Sequence, residues 1–319
     1  MAVAVDDLIE DLCETLGDAG EIVGALAEPR FDLFHAANSI CSHKVRVVLA
    51  QLGTAYRSHV LNIFAGQTFL PGHVRLRLIG CARGGLALVQ AHTGSTAAST
   101  GGCDPAVVPT LIDRQTGEVI VDSKAICRYL DAQAAEPDRL CPGAFRAAIE
   151  AQLDVVDNLP NYQMLVGKPA GADPRPRALQ ANAGVDFSMS KVARCDRYIA
   201  QFAGDQALVQ AYGAKRSKEL MAAQTLFSQD AVTGAYAKAD DACSQLERRL
   251  QVKSGAWLFG DAVTMADLFW AVELLRMKNL GAQHLWEGGR RPAVEAFVGA
   301  AERLPSIQSA VLTWPGALF

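Results

Sequence analysis

The chain has 319 residues, half of them apolar and 20% charged, with a formal net charge of -4 at pH 7. That is material for one large or two ordinary domains, and the absence of a long Lys/Arg block or nucleic-acid motif excludes a reader of phosphate backbones. No apolar run approaches the roughly 20 residues that cross a bilayer, and the acidic start MAVAVDDLIEDLCETLGDAGE lacks a basic leader, so a cytoplasmic protein with no membrane partner is expected.

Residues 1–30 read as an acidic N-terminal extension. Leu8, Ile9, Leu12 and Leu16 recur at helical spacing among acids, predicting a short amphipathic helix, docked or loose. FDLFHA (31–36) then reads as a strand before the polar turn Asn38-Ser39. Val45, Val48, Leu49 and Leu52 keep helical spacing up to Gly53, a natural helix end, and TAYRSHVLNI (54–63) carries a second strand.

This β-loop-α-β opening delivers Ser39, Cys41 and Ser42 to a helix N-terminus, where unpaired N–H groups and the helix dipole favour an anion. A cysteine there can ionise more readily, and a hydroxyl there can donate to the thiolate of a bound thiol. Equally, Ser39 or Ser42 is simply the N-cap and Cys41 is packed.

In residues 62–106, VRLRL and LALVQ have the alternation or apolar run of strands, and HTGSTAASTGGCD is a small, polar, glycine-rich loop. AVVPTLIDRQTGEVIVDSKAICRYLDAQ (106–133) follows with two strands around a Gly117 turn and then a helix. A cis bond at Val108-Pro109 would turn the Val108 backbone outward to pair with an extended peptide; a trans proline at a strand start is the ordinary alternative. Asp122-Ser123 sits at the next helix N-terminus, as a cap or a carboxylate-binding turn.

Taken in order, NSICSHKVRVVLAQLG, VVPTL and VDSKAICRYL resemble the glutathione-binding half of cytosolic glutathione transferases, and WLFGDAVTMADLFWA (257–271) resembles the capping box of their helical half, with Thr264 as N-cap and Asp267 reaching back to it. The resemblance implies an α/β plus all-α protein: a thioredoxin-like domain (31–133) with an insertion at about 64–105, then an all-helical substrate domain (142–319). The Ser-Ile-Cys-Ser turn is most similar to the bacterial aromatic-degrading branch, tetrachlorohydroquinone reductive dehalogenases and glutathione-dependent β-etherases. Carried over, Ser39 lies by the glutathione sulfur, Cys41 takes up the glutathionyl group in the dehalogenase route, Val108 and Pro109 hold the cysteinyl backbone, and Asp122 and Ser123 hold the γ-glutamyl end. Glutathione is the implied cofactor, a small aromatic the implied substrate, and a homodimer or a heterodimer with a related chain the implied assembly. Thiolytic β-aryl ether cleavage is the preferred activity, reductive dehalogenation through Cys41 the alternative, and a weakly catalytic subunit of a heterodimer the third.

The insertion, longer by about two dozen residues than such loops usually are, is expected beside the site as a lid or subunit contact bringing Cys103 close, or as a surface elaboration. GKPAGADPRPR (167–177) is expected to loop over the cleft, with Tyr162 and Met164 touching substrate or packed in the core. Cys243, Leu246 and Leu250 form a buried helical stripe. His35 and His43 lack a recognisable carboxylate partner and are expected to be packed or solvated. Most of the eight cysteines are expected to be small buried thiols, and the absence of Cys-x-x-Cys and of zinc-ligand spacing argues against a structural metal.

Overall fold

One five-stranded sheet, in the order β1-β3-β2-β4-β5, organises the N-terminal half of the computed structural model, which describes residues 5–167 and 183–318. The strands are β1 (Glu21–Val23), β2 (Phe31–His35), β3 (Tyr56–Val60), β4 (Thr110–Asp113) and β5 (Glu118–Val121). β2 and β3 run parallel and the other pairs antiparallel. Every residue of β2 is buried, as a central strand covered on both faces must be. Its side chains alternate: Phe31 and Leu33 enter the large core, and Phe34 enters the core on the opposite face. On the first face, α2 (Ile40–Leu52) packs against α5 (Ser123–Ala132). α2 ends where Gly53 takes a left-handed φ of 67°.

The acidic extension is docked. α1 (Val5–Leu16) buries Leu8, Ile9 and Leu12 against the second face, and β1 adds an unforeseen antiparallel strand beside β3. The strand reading of VRLRL is overturned: these residues lie inside α3 (Pro71–Arg83). Pro71 starts the helix, and the buried positions Gly72, His73, Val74, Leu76, Arg77, Gly80 and Cys81 follow helical spacing, a stronger constraint than local alternation. Gly80 lets α3 lie on β5, because a Cβ there would sit 2.7 Å from Val121 Cγ1. LALVQ contributes a single bridge, Leu88 to Cys103, and α4 (Ala98–Gly101) is one turn long.

The C-terminal half is helical: α6 (Arg146–Asp157), α7 (Asn161–Val166), α8 (Ala183–Gln201), α9 (Gln206–Thr225), α10 (Gln229–Gln251), α11 (Met265–Asn279), α12 (Pro292–Ala301) and the short α13 (Pro305–Ile307). Cys243, Leu246 and Leu250 form the buried stripe of α10. None of the described helices is long and apolar enough to cross a membrane. α11 is the central one, buried at every residue from Met265 to Met277, and contacts both α2 and α6. Its start is over-determined: Asp267 accepts from the Thr264 N–H at 2.8 Å, the Thr264 hydroxyl at 2.6 Å and the Leu258 N–H at 2.9 Å. Replacing Asp267 by Ala orphans three buried donors, and a loss of about 2–4 kcal/mol is expected in urea unfolding.

Charges are buried where the halves meet. Lys44 of α2 pairs with Asp157 of α6 at 2.6 Å, both side chains almost fully covered. Nearby, Glu273 of α11 accepts from Asn161 Nδ2 at 3.1 Å. Burial raises the Glu273 carboxyl from 4.5 to about 7, against the opposing pull of Lys44. Unfolded, it releases its proton near 4.5; folded, near 7. Between these values the native state holds the extra proton, so stability falls as pH rises through the window, by on the order of 3 kcal/mol for this group alone. Glu273→Gln is expected to remove that slope when urea midpoints are compared from pH 4.5 to 7.5.

Candidate active site

The turn between β2 and α2 is held by its carbonyl groups. Arg46 donates to the Ala36 oxygen at 3.2 Å and the Ala37 oxygen at 3.0 Å, and His43 Nε2 donates to the same Ala37 oxygen at 2.8 Å. From the helical half, Arg276 of α11 donates to the Asn38 oxygen. Arg46 also donates to His35 Nδ1 at 3.1 Å, and His35 Nε2 donates to Ser58 Oγ at 2.8 Å. Burial and the neighbouring guanidinium groups push both imidazoles well below their usual range, so His35 and His43 are neutral structural groups.

Ser39 is the N-cap of α2, its Oγ accepting from the Ser42 N–H at 3.4 Å. Accepting uses a lone pair and leaves its O–H free to donate into the cavity it lines. Cys41, one residue into α2, is a free thiol lining the same cavity. The expected lowering of its pKa is not found. Burial raises the thiol above 9.0, outweighing the opposing effects of Lys44 and the Ser123 hydroxyl. The resting group is therefore protonated.

The segment leading into β4 lines the same cavity. Val108-Pro109 is cis, and among the described residues the Val108 N–H and C=O take no backbone partner. Arg77 of α3, absent from the expectations and itself at the cavity, pins this segment, donating to the Pro109 oxygen at 2.7 Å, Thr110 Oγ1 at 3.0 Å and the Asp104 oxygen at 2.8 Å. Asp122 caps α5 at φ 77°, a conformation rare outside glycine. Its carboxylate accepts from the Ala125 N–H at 3.0 Å and the Ala98 N–H at 3.3 Å, and Ser123 follows it.

Ser39, Cys41, Val108, Pro109, Asp122 and Ser123 thus line one cavity of about 850 Å³. Residues 86–104 of the insertion form one of its walls: the Thr96 N–H donates to the Asp157 oxygen at 3.0 Å, and His92 stacks on Tyr162 with ring centroids 4.6 Å apart. Tyr162 faces the cavity, whereas Met164 is core. Cys103 reaches the cavity wall but is bonded to Cys81, so these two are not the separate thiols expected. The 167–177 loop lies, apart from Gly167, outside the described residues.

The cavity also holds charges that no motif announced: Lys191 on α8; Lys215, Lys218 and Glu219 on α9; and Asp104. The run KRSKE (215–219) has the composition of a solvated helix face. Only its spacing, positions 215, 218 and 219 on one side, hints at a shared inward direction.

Residues 38–133 match the model of the glutathione S-transferase N-terminal domain and residues 229–300 that of the C-terminal domain. A 2,5-dichlorohydroquinone reductive dechlorinase of Sphingobium indicum is 39% identical over 296 residues, covering 92% of this chain and 85% of the relative. Among solved structures, the β-etherase LigF of Sphingobium sp. strain SYK-6 superposes with a TM-score of 0.56 at 14% identity, over 88% of this chain and 98% of that one. A glutathione S-transferase of Methylobacillus flagellatus KT, solved with glutathione bound, gives 0.51 at 15% identity, over 88% and 98%. With both domain models matched in order on the thioredoxin-like and helical halves described above, the chain belongs to the glutathione S-transferase family.

Proposed function

We propose that this protein is a glutathione-dependent enzyme of aromatic breakdown, and that its reaction is reductive dehalogenation of a chlorinated hydroquinone through Cys41. The residues fit glutathione as a consumed co-substrate. The unpaired backbone of Val108 before cis-Pro109 offers one donor and one acceptor to an extended cysteinyl residue, and the N-terminus of α5 with Ser123 offers donors to a γ-glutamyl carboxylate. The Ser39 hydroxyl, which lines the cavity, would donate to the sulfur and favour its anion.

In the first step the aryl carbon–chlorine bond is replaced by a carbon–sulfur bond to glutathione, with release of chloride and a proton. The Cys41 sulfur then attacks the glutathione sulfur. The carbon–sulfur bond breaks, the ring carbon takes up a proton, and Cys41 is left in a disulfide with glutathione. A second glutathione thiolate displaces Cys41 and leaves as glutathione disulfide, so the two electrons gained by the ring come from two thiols.

The observation that carries this reading is the free Cys41 thiol opening onto the same cavity as the peptide-binding strand, with Lys44 and Ser123 beside it to favour its anion once it is called on. The dechlorinase relative adds to it, and so shifts preference from the ether-cleaving route. That route, β-aryl ether cleavage, remains the second reading, because the Ser39 hydroxyl alone would suffice for it.

The routes part at one residue. With 2,5-dichlorohydroquinone and glutathione, Cys41→Ser is expected to lower formation of the reduced ring at least about 100-fold while glutathionyl-hydroquinone accumulates, and Ser39→Ala to slow the carbon–sulfur step itself by about 10- to 1000-fold. Products are resolved by mass. Full reduction by Cys41→Ser would sink the reductive route; turnover of β-aryl ethers lost only in Ser39→Ala would establish the other.

A further inference from the structure

Five buried charged side chains at this cavity form an alternating chain. Lys191 contacts Glu219 Oε2 at 3.1 Å; Lys215 contacts Glu219 Oε1 at 2.8 Å and Asp104 Oδ2 at 2.7 Å; Lys218 contacts the same Asp104 oxygen at 2.6 Å. The chain begins and ends on a lysine, so three cations face two carboxylates. Burial of unbalanced charge is costly unless something completes it. All five side chains are at most 15% exposed and line the cavity.

The neighbours do not cancel the surplus. His92 is neutral, since burial and Lys218 depress its pKa to about 2. Tyr162 is held as a phenol by burial and Glu219, and accepts from Lys191 Nζ at 2.8 Å. Asp186 of α8, a further carboxylate at this cavity, is exposed to solvent. The two ends differ. Lys191 is occupied by Glu219 and Tyr162 and lies over the Phe187 ring at 4.1 Å. Lys218 has, among the described residues, the Asp104 carboxylate as its partner, which leaves N–H donors toward the cavity.

We propose that the Lys191–Glu219–Lys215–Asp104–Lys218 chain is a docking site for a single oxyanion of a ligand bound in this cavity, with Lys218 as its contact. The apolar surroundings, Phe64, Phe69 and Phe187, suit the phenolate of a ring. The glycyl carboxylate of glutathione offers the same chemistry. The proposal rests on the reading above only in taking the cavity as the substrate site.

Two pairs of probes distinguish the sources. One is 2,6-dichloro-4-nitrophenolate against its methyl ether, titrated by absorbance at pH 7; the other is glutathione against glutathione amidated at its glycine, titrated by calorimetry. In the wild type, the anionic member of one pair is expected to bind at least about tenfold more tightly than its neutral partner, with Lys218→Met shrinking the gap to about twofold or less and Lys218→Arg keeping it. A gap in the first pair assigns the site to the aromatic ligand, and one in the second assigns it to glutathione. Absence of both gaps in the wild type, or survival of the gap in Lys218→Met, overturns the proposal. The wild-type comparison decides even if a variant fails to fold. Chloride release from 2,5-dichlorohydroquinone, followed in parallel, keeps the outcomes apart: a gap without chloride release refutes the reaction and not the oxyanion site.

Discussion

Three consecutive carbonyl groups, those of Ala36, Ala37 and Asn38, are held by Arg46, His43 and Arg276, and the geometry of the site depends on them. A turn that leaves a buried strand has backbone acceptors without ladder partners, and each must find a donor. Here the donors come from the helix the turn begins and from α11 across the domain junction. Ser39 and Cys41 are therefore positioned jointly by both halves. Buried guanidinium groups at such a joint act as spacers of fixed length as much as charges.

The same burial that fixes this turn keeps Cys41 a thiol at rest. On the proposed reductive route, where the cysteine meets the reactant only after a first displacement, that has a use. A protonated sulfur is a poor target for adventitious oxidants, since susceptibility follows thiolate character. Lys44 lies close enough to support the anion, but is itself bound to Asp157.

What could be read from the chain alone was local. The strand–turn–helix that carries Ser39, the strand after Pro109, the Asp122 cap and the Thr264–Asp267 box each occupy one short contiguous stretch, Phe31–Leu52 being the longest, and propensity, capping and spacing act over that range. The alternation in VRLRL is too short to specify a strand, while the helical stripe of His73, Val74, Leu76, Arg77, Gly80 and Cys81 only gains meaning against β5. Arg77 and the lysine-ended chain were missed for a related reason. Arg77 reaches Pro109 across 32 positions and Lys215 reaches Asp104 across 111, and no local pattern encodes such pairs. KRSKE has the same composition whether it faces water or a cavity.

The acidic extension has a consequence for how copies of this chain can meet. A sheet whose last strand were β3 would present unpaired amide and carbonyl groups along that margin, a template for another chain to join. β1 occupies the place with three residues, too short and too exposed to serve as a template itself, and α1 clamps the segment to the far face. Strand-to-strand joining at that margin is thereby disfavoured.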